Sequence, residues 1–128
     1  MQGMSDQSKV VAVRGAVQAD DNSPEAILSA TEELMREVIR RNDLDAADMI
    51  SAIFTTTEDL DAEFPAVAAR RIGLNEVPLM CAREIPVAGS MNRVIRLMLH
   101  YNAALDHAPS HVYLGETGGL RADLNAAQ

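Results

Sequence analysis

A single cysteine, Cys81, is followed three residues later by Glu84 and, past a Pro86–Gly89 turn, by Arg96 inside the apolar run 93–101. A carboxylate and a guanidinium beside apolar strands are costly to bury without partners, so their positions need a reason. Cys81 with His100, His107 or His111 would make a nucleophile and base, but no local motif supports that pairing. A lone strand cysteine behaves as a small hydrophobe. The histidines lack metal-ligand spacing, Gly118-Gly119 is only a turn signal, and Asp20-Asp21 and Glu58-Asp59 read as solvated loops and caps. What remains is a set of arginines, Arg14, Arg70, Arg96 and Arg121, with Glu84 and Tyr113. Arginines hold carboxylates through bidentate, charge-assisted hydrogen bonds. Glu84 either binds a hydroxyl or neutralises an arginine. Tyr113 either adds a hydroxyl or is an ordinary strand residue. This chemistry suits a small polycarboxylate bearing a hydroxyl, whether in a reaction without covalent catalysis or in binding alone.

The elements that must position these residues follow from periodicity. Residues 9–17 alternate as a strand, with Val11 and Val13 on one face and Val10, Ala12 and Arg14 on the other. Ser23-Pro24-Glu25 is a helix start: an N-cap hydroxyl, a proline at the first helical position and an acid in the positive first turn. Ile27, Leu28, Thr31, Leu34, Met35, Val38 and Ile39 then form one apolar stripe. Residues 48–57 read as a second strand ending in a hydroxyl-rich rim, with Met49 and Ile53 against Ile50 and Phe54. A short helix over 64–72 carries Arg70 and Arg71, which otherwise read as a surface pair. Strands follow at 77–83, 93–101 and 111–114, the second of these also being compatible with helix. Residues 1–8 read as a flexible leader, 9–120 as one domain and 121–128 as a mobile tail. The expected class is α+β: one long amphipathic helix and about five strands. Several strands are apolar on both faces, and one helix covers only one of them. A homo-oligomer with a site between subunits is therefore expected.

At 128 residues, one domain is the default. A net charge of −8 argues against nonspecific nucleic-acid binding and against anionic membrane surfaces. One cysteine gives no internal disulfide and suits a reducing cytoplasm. Residues 1–9 lack the apolar run of a signal peptide, and no stretch approaches the length of a membrane span.

Several segments, in order, resemble the monofunctional, trimeric chorismate mutases of the AroH class. They are Val13-Arg14-Gly15-Ala16, the capped helix, Phe64-Pro65-Ala66 with Arg70, Val77-Pro78 leading to Cys81-Ala82-Arg83-Glu84, Ile95-Arg96, His111-Val112-Tyr113-Leu114, and Leu120-Arg121 with Asp123-Leu124. The resemblance implies a mixed five-stranded sheet packed on one long helix, assembled as a homotrimeric pseudo-α/β barrel with active sites between subunits. It implies conversion of chorismate to prephenate, toward phenylalanine and tyrosine, by an intramolecular [3,3] rearrangement that needs no nucleophile, metal or cofactor. It further implies that Arg96 donates to the ether oxygen, Arg14 clamps a carboxylate, and Glu84 with Cys81 binds the ring hydroxyl. Tyr113 would contact a carboxylate. Met80, Ala82 and Arg83 would lie along the pocket, and Phe64, Arg70 and Leu120 would line or close it, with the tail from Arg121 as a lid. Met80 stands where the family commonly has threonine. A noncatalytic trimer that binds small carboxylates for regulation is the alternative. A trimeric imine deaminase accounts less well for Cys81-to-Glu84 followed by Arg96.

Overall fold

The computed structural model describes residues 7–120. The expected tail at 121–128, Arg121 within it, and all but the end of the expected leader at 1–8 lie outside them. Five strands form one mixed sheet: β1 (Ser8–Gln18), β2 (Met49–Thr56), β3 (Leu79–Arg83), β4 (Val94–Ala104) and β5 (Val112–Tyr113). Strand β1 begins at Ser8, inside the expected leader, because Ser8 pairs with Ala104 of β4. The order across the sheet is β3-β2-β4-β1-β5. The β1–β4 and β2–β4 pairs are antiparallel, while β1–β5 and β2–β3 are parallel.

Helix α1 (Pro24–Asn42) crosses one face of this sheet. Its start is fixed as the Ser-Pro-Glu signal requires: the Ser23 hydroxyl accepts the Ala26 N–H at 3.1 Å. Its end turns through Asp43 at φ 53°, whose N–H returns to the last-turn carbonyls. Ile27, Leu34, Met35 and Val38 pack against Val11, Val13, Phe54, Leu97 and Leu99, forming a continuous core. Each such side chain contributes about 1.5–3 kcal/mol when fully buried. Ser23→Ala should therefore cost about 1 kcal/mol through the lost cap. A modest fall in Tm with unchanged turnover at moderate temperature is the expected result, and an unchanged Tm would show that the cap contributes nothing.

One sequence expectation is corrected here. Met49 does not share a face with Ile53. A bulge between Met49 and Ser51 shifts the register, so Met49 joins Ala52 and Phe54 on the buried side while Ile50 and Ile53 remain exposed. The 93–101 segment is strand, as expected, and runs as β4 to Ala104. It lies between β1 and β2, where ladders on both edges outweigh the helical propensity of Met, Leu and Arg. The short helix α2 (Ala66–Arg71) packs beside α1.

The end of α1 also sets the far edge of the sheet. Buried Asn42 donates to the Val38 and Ser110 carbonyls at 3.0 Å each and accepts the Ser110 N–H at 2.7 Å. This clasp holds the segment leading into β5. Just beyond it, His111 Nδ1 accepts the Arg14 N–H at 3.0 Å, continuing the pairing of β1 where β5 begins.

Candidate active site

The sheet face opposite α1 carries the chemistry. Register places Ala82, Thr55, Arg96, Ala16 and Tyr113 on one rung from β3 to β5. The adjacent rung holds Met80, Ile53, Met98 and Arg14. Directly paired residues share a face, so the two arginines arrive from neighbouring antiparallel strands, offset by one rung. Glu84 follows the last residue of β3 and is anchored by its N–H to the Thr56 carbonyl at 2.9 Å. Arg14, Glu84, Arg96 and Tyr113 thus line one cleft of about 290 Å³, floored by Ile53 and Met98. That volume is at the lower edge of small-molecule sites, about 300–1,000 Å³.

Within the cleft, Arg96 Nε lies 3.5 Å from Glu84 Oε2. This nitrogen is buried and has no hydrogen-bond partner among the described residues. Glu84 Oε2 instead accepts the Thr55 hydroxyl. Thr55 is the site residue that sequence reasoning missed. Its only signal was the hydroxyl-rich rim of 55–57, which carries no indication of which hydroxyl meets which carboxylate.

The entry to β4 is pinned independently, at Arg93 and Val94. Arg93 has φ 54°, and its N–H donates to Asp59 Oδ2 at 2.9 Å. The next N–H, from Val94, donates to the Thr57 hydroxyl at 3.0 Å. Partial burial pushes the Asp59 carboxyl up. Hydrogen bonds from Thr57, its own backbone and Arg93, with the Arg93 charge, outweigh that and hold it below the usual carboxylate range.

The remaining sequence-predicted residues do not join this cleft within one chain. Cys81 does not line this cleft. It pairs with Phe54 and packs against the core, on the opposite face from Met80 and Ala82. Cys81, Ala82, Arg83 and Phe64 line a second cleft of about 360 Å³. There Arg83 Nη1 donates to the Glu58 carbonyl at 2.6 Å, and Phe64 is 66 % exposed. Met80, 63 % exposed, projects from the cleft-bearing face beside Ile53. Arg70 is exposed on α2, and Leu120 is half-buried at the last described position. A roomier cleft, about 1030 Å³, lies elsewhere and includes Lys9, Asp43, Tyr101 and His107. It contains none of the arginines singled out above, so size does not mark the chemical centre.

The chorismate mutase type I family model matches residues 10–124. The chain belongs to that family. It is 46 % identical over 118 residues to a chorismate mutase AroH of Thermus thermophilus, covering 91 % of this chain and 97 % of the relative. It is 33 % identical over 115 residues to the Bacillus subtilis chorismate mutase AroH, covering 88 % and 91 %. A solved chorismate mutase from Clostridium thermocellum superposes with a TM-score of 0.82 at 43 % identity, over 85 % of this chain and 98 % of that one. The match begins inside β1 and takes in the other four strands whole, so the described site residues from Arg14 to Leu120 all fall within it. Among the described residues no helix is long and apolar enough to cross a membrane, and no cluster of His, Cys, Asp and Glu is arranged to hold a metal ion.

Proposed function

We propose that this chain is a chorismate mutase, an isomerase that converts chorismate to prephenate, and that the Arg14–Glu84–Arg96–Tyr113 cleft is the heart of its active site. The observation that carries the assignment of the site is the placement of Arg96. It is a cation on a central strand, aimed into a cleft, with a buried Nε that has no hydrogen bond among the described residues and with its nearest carboxylate at 3.5 Å. In the [3,3] rearrangement the ether C–O bond breaks as a new C–C bond forms, and no proton is transferred. Negative charge develops on the ether oxygen while the ring becomes electron-poor. A fixed guanidinium at that oxygen stabilises the transition state more than the ground state. Glu84 accepts the ring hydroxyl and lies on the side where positive charge develops. Arg14 and Tyr113 hold carboxylates and keep the substrate folded for bond formation.

The working enzyme is a cytoplasmic homotrimer in a pseudo-α/β-barrel arrangement, and its sites lie between subunits. Two observations support this reading. The cleft is small and open on a face that leaves Val10, Ile53, Met80 and Met98 exposed. Phe64, Cys81 and Arg83 line a separate cleft. A second copy laid on the open face would bring the two half-sites together, with Phe64, Arg70 and the Met80–Arg83 segment supplied by the neighbour. Leu120 would close the pocket.

The test is to mix the purified protein with chorismate, follow its loss optically and identify the product. Prephenate formed at a rate proportional to enzyme is the expected result. Binding of chorismate without turnover would instead identify a noncatalytic carboxylate-binding protein.

A further inference from the structure

We propose that Thr55 is a positioning residue that acts through Glu84, keeping the carboxylate off Arg96 so that the guanidinium stays available to substrate. The inference rests on the site reading above and deepens it. Thr55 faces Arg96 directly across the β2–β4 ladder. Its hydroxyl donates to Glu84 Oε2, the same oxygen that lies 3.5 Å from Arg96 Nε. One carboxylate oxygen therefore has two candidate donors and takes the neutral one. Arg96 Nε is left buried and without a hydrogen bond among the described residues.

The physical consequence follows from what the alternative would be. An arginine beside an unrestrained carboxylate closes into a bidentate pair, with two parallel N–H···O bonds. Such a pair would occupy the donors that the reaction needs and neutralise the charge they carry. Glu84 is well placed to do this, because it follows the end of β3, and its backbone tether to Thr56 leaves its side-chain torsions free. The Thr55 hydroxyl removes that freedom. Thr55 is β-branched on a strand, so its own χ1 is stiff and the donor is preset.

The test compares Thr55→Val, which keeps the branched shape and removes the donor, with Thr55→Ser, which keeps the hydroxyl. Thr55→Val should lower kcat about tenfold to a hundredfold, the range for loss of a hydrogen bond to a charged group, with a smaller change in KM. Thr55→Ser should restore most of that loss. In a Glu84→Ala background, Thr55→Val should add less than about threefold, because the group it positions is gone. Full additivity in the double variant, or a serine variant as slow as the valine variant at equal Tm, would overturn the proposal. An Arg96→Ala control separates the two levels. If it loses turnover while Thr55→Val keeps wild-type kcat, the positioning role fails and the site reading stands. If Arg96→Ala keeps turnover as well, the site reading itself fails.

Discussion

Arg96→Ala is expected to abolish most prephenate formation while leaving the fold intact. The fold should survive because Arg96 contributes little to it. Its side chain is 38 % exposed, and its ion pair with Glu84, at 3.5 Å, lacks hydrogen-bond geometry. Part-exposed pairs of this kind are worth about 0–1 kcal/mol. The strand itself is held by backbone ladders to β1 and β2 and by Ile95, Leu97 and Leu99 in the core, none of which the substitution touches. The reaction should fail because removing one preorganised donor costs about 3–4 kcal/mol, or on the order of 10²–10³ in rate, and a charged donor costs more. Arg96→Lys should rescue little. An ammonium is a point charge on a flexible stem and cannot present the guanidinium fork from the same backbone position. Chorismate loss with product identification measures the first effect, and a thermal melt measures the second. Wild-type turnover in a folded Arg96→Ala protein would sink the mechanism.

The sequence made some of this architecture readable for identifiable reasons. Helix α1 was legible because cap, proline, first-turn acid and apolar stripe all point the same way, and the structure realises each of them. The strands were legible by alternation, except where a bulge broke it at Met49. Arg14, Glu84, Arg96 and Tyr113 were singled out by charge chemistry and by family resemblance, and the structure gathers all four in one cleft. Cys81 was grouped with them by nearness in sequence. A strand of period two sends Cys81 to the face opposite Met80 and Ala82, and this parity was already implicit in the sequence. Thr55 could not be read from sequence, because its role depends on a cross-strand register that brings β2, β4 and the residue after β3 to one point.

Gly15→Val is expected to produce the largest loss of stability among these substitutions and to weaken the site through it. Gly15 follows Arg14 and pairs with Val112 of β5, on the face that meets α1. A Cβ there would lie 2.9 Å from Leu34 Cδ1, 3.0 Å from the Val112 carbonyl oxygen and 3.4 Å from Val38 Cγ2. Leu34 can move, but the carbonyl belongs to the ladder that holds β5 against β1 and cannot yield without opening it. Valine adds two further methyls to a space already closed to the first. Overpacking of this kind typically costs about 1–3 kcal/mol, and the upper end applies where backbone must shift. The strain falls on both sides of the site: β5 carries Tyr113, and β1 carries Arg14 one residue away. Gly15→Val should therefore lower Tm by several degrees and raise KM for chorismate more than Gly15→Ala does. Gly15→Ala should show the same pattern in weaker form, since only Leu34 and the carbonyl need adjust. A Gly15→Val protein with wild-type Tm and KM would mean that β5 is not held against β1 at this close approach, and that Tyr113 is placed by something other than the ladder.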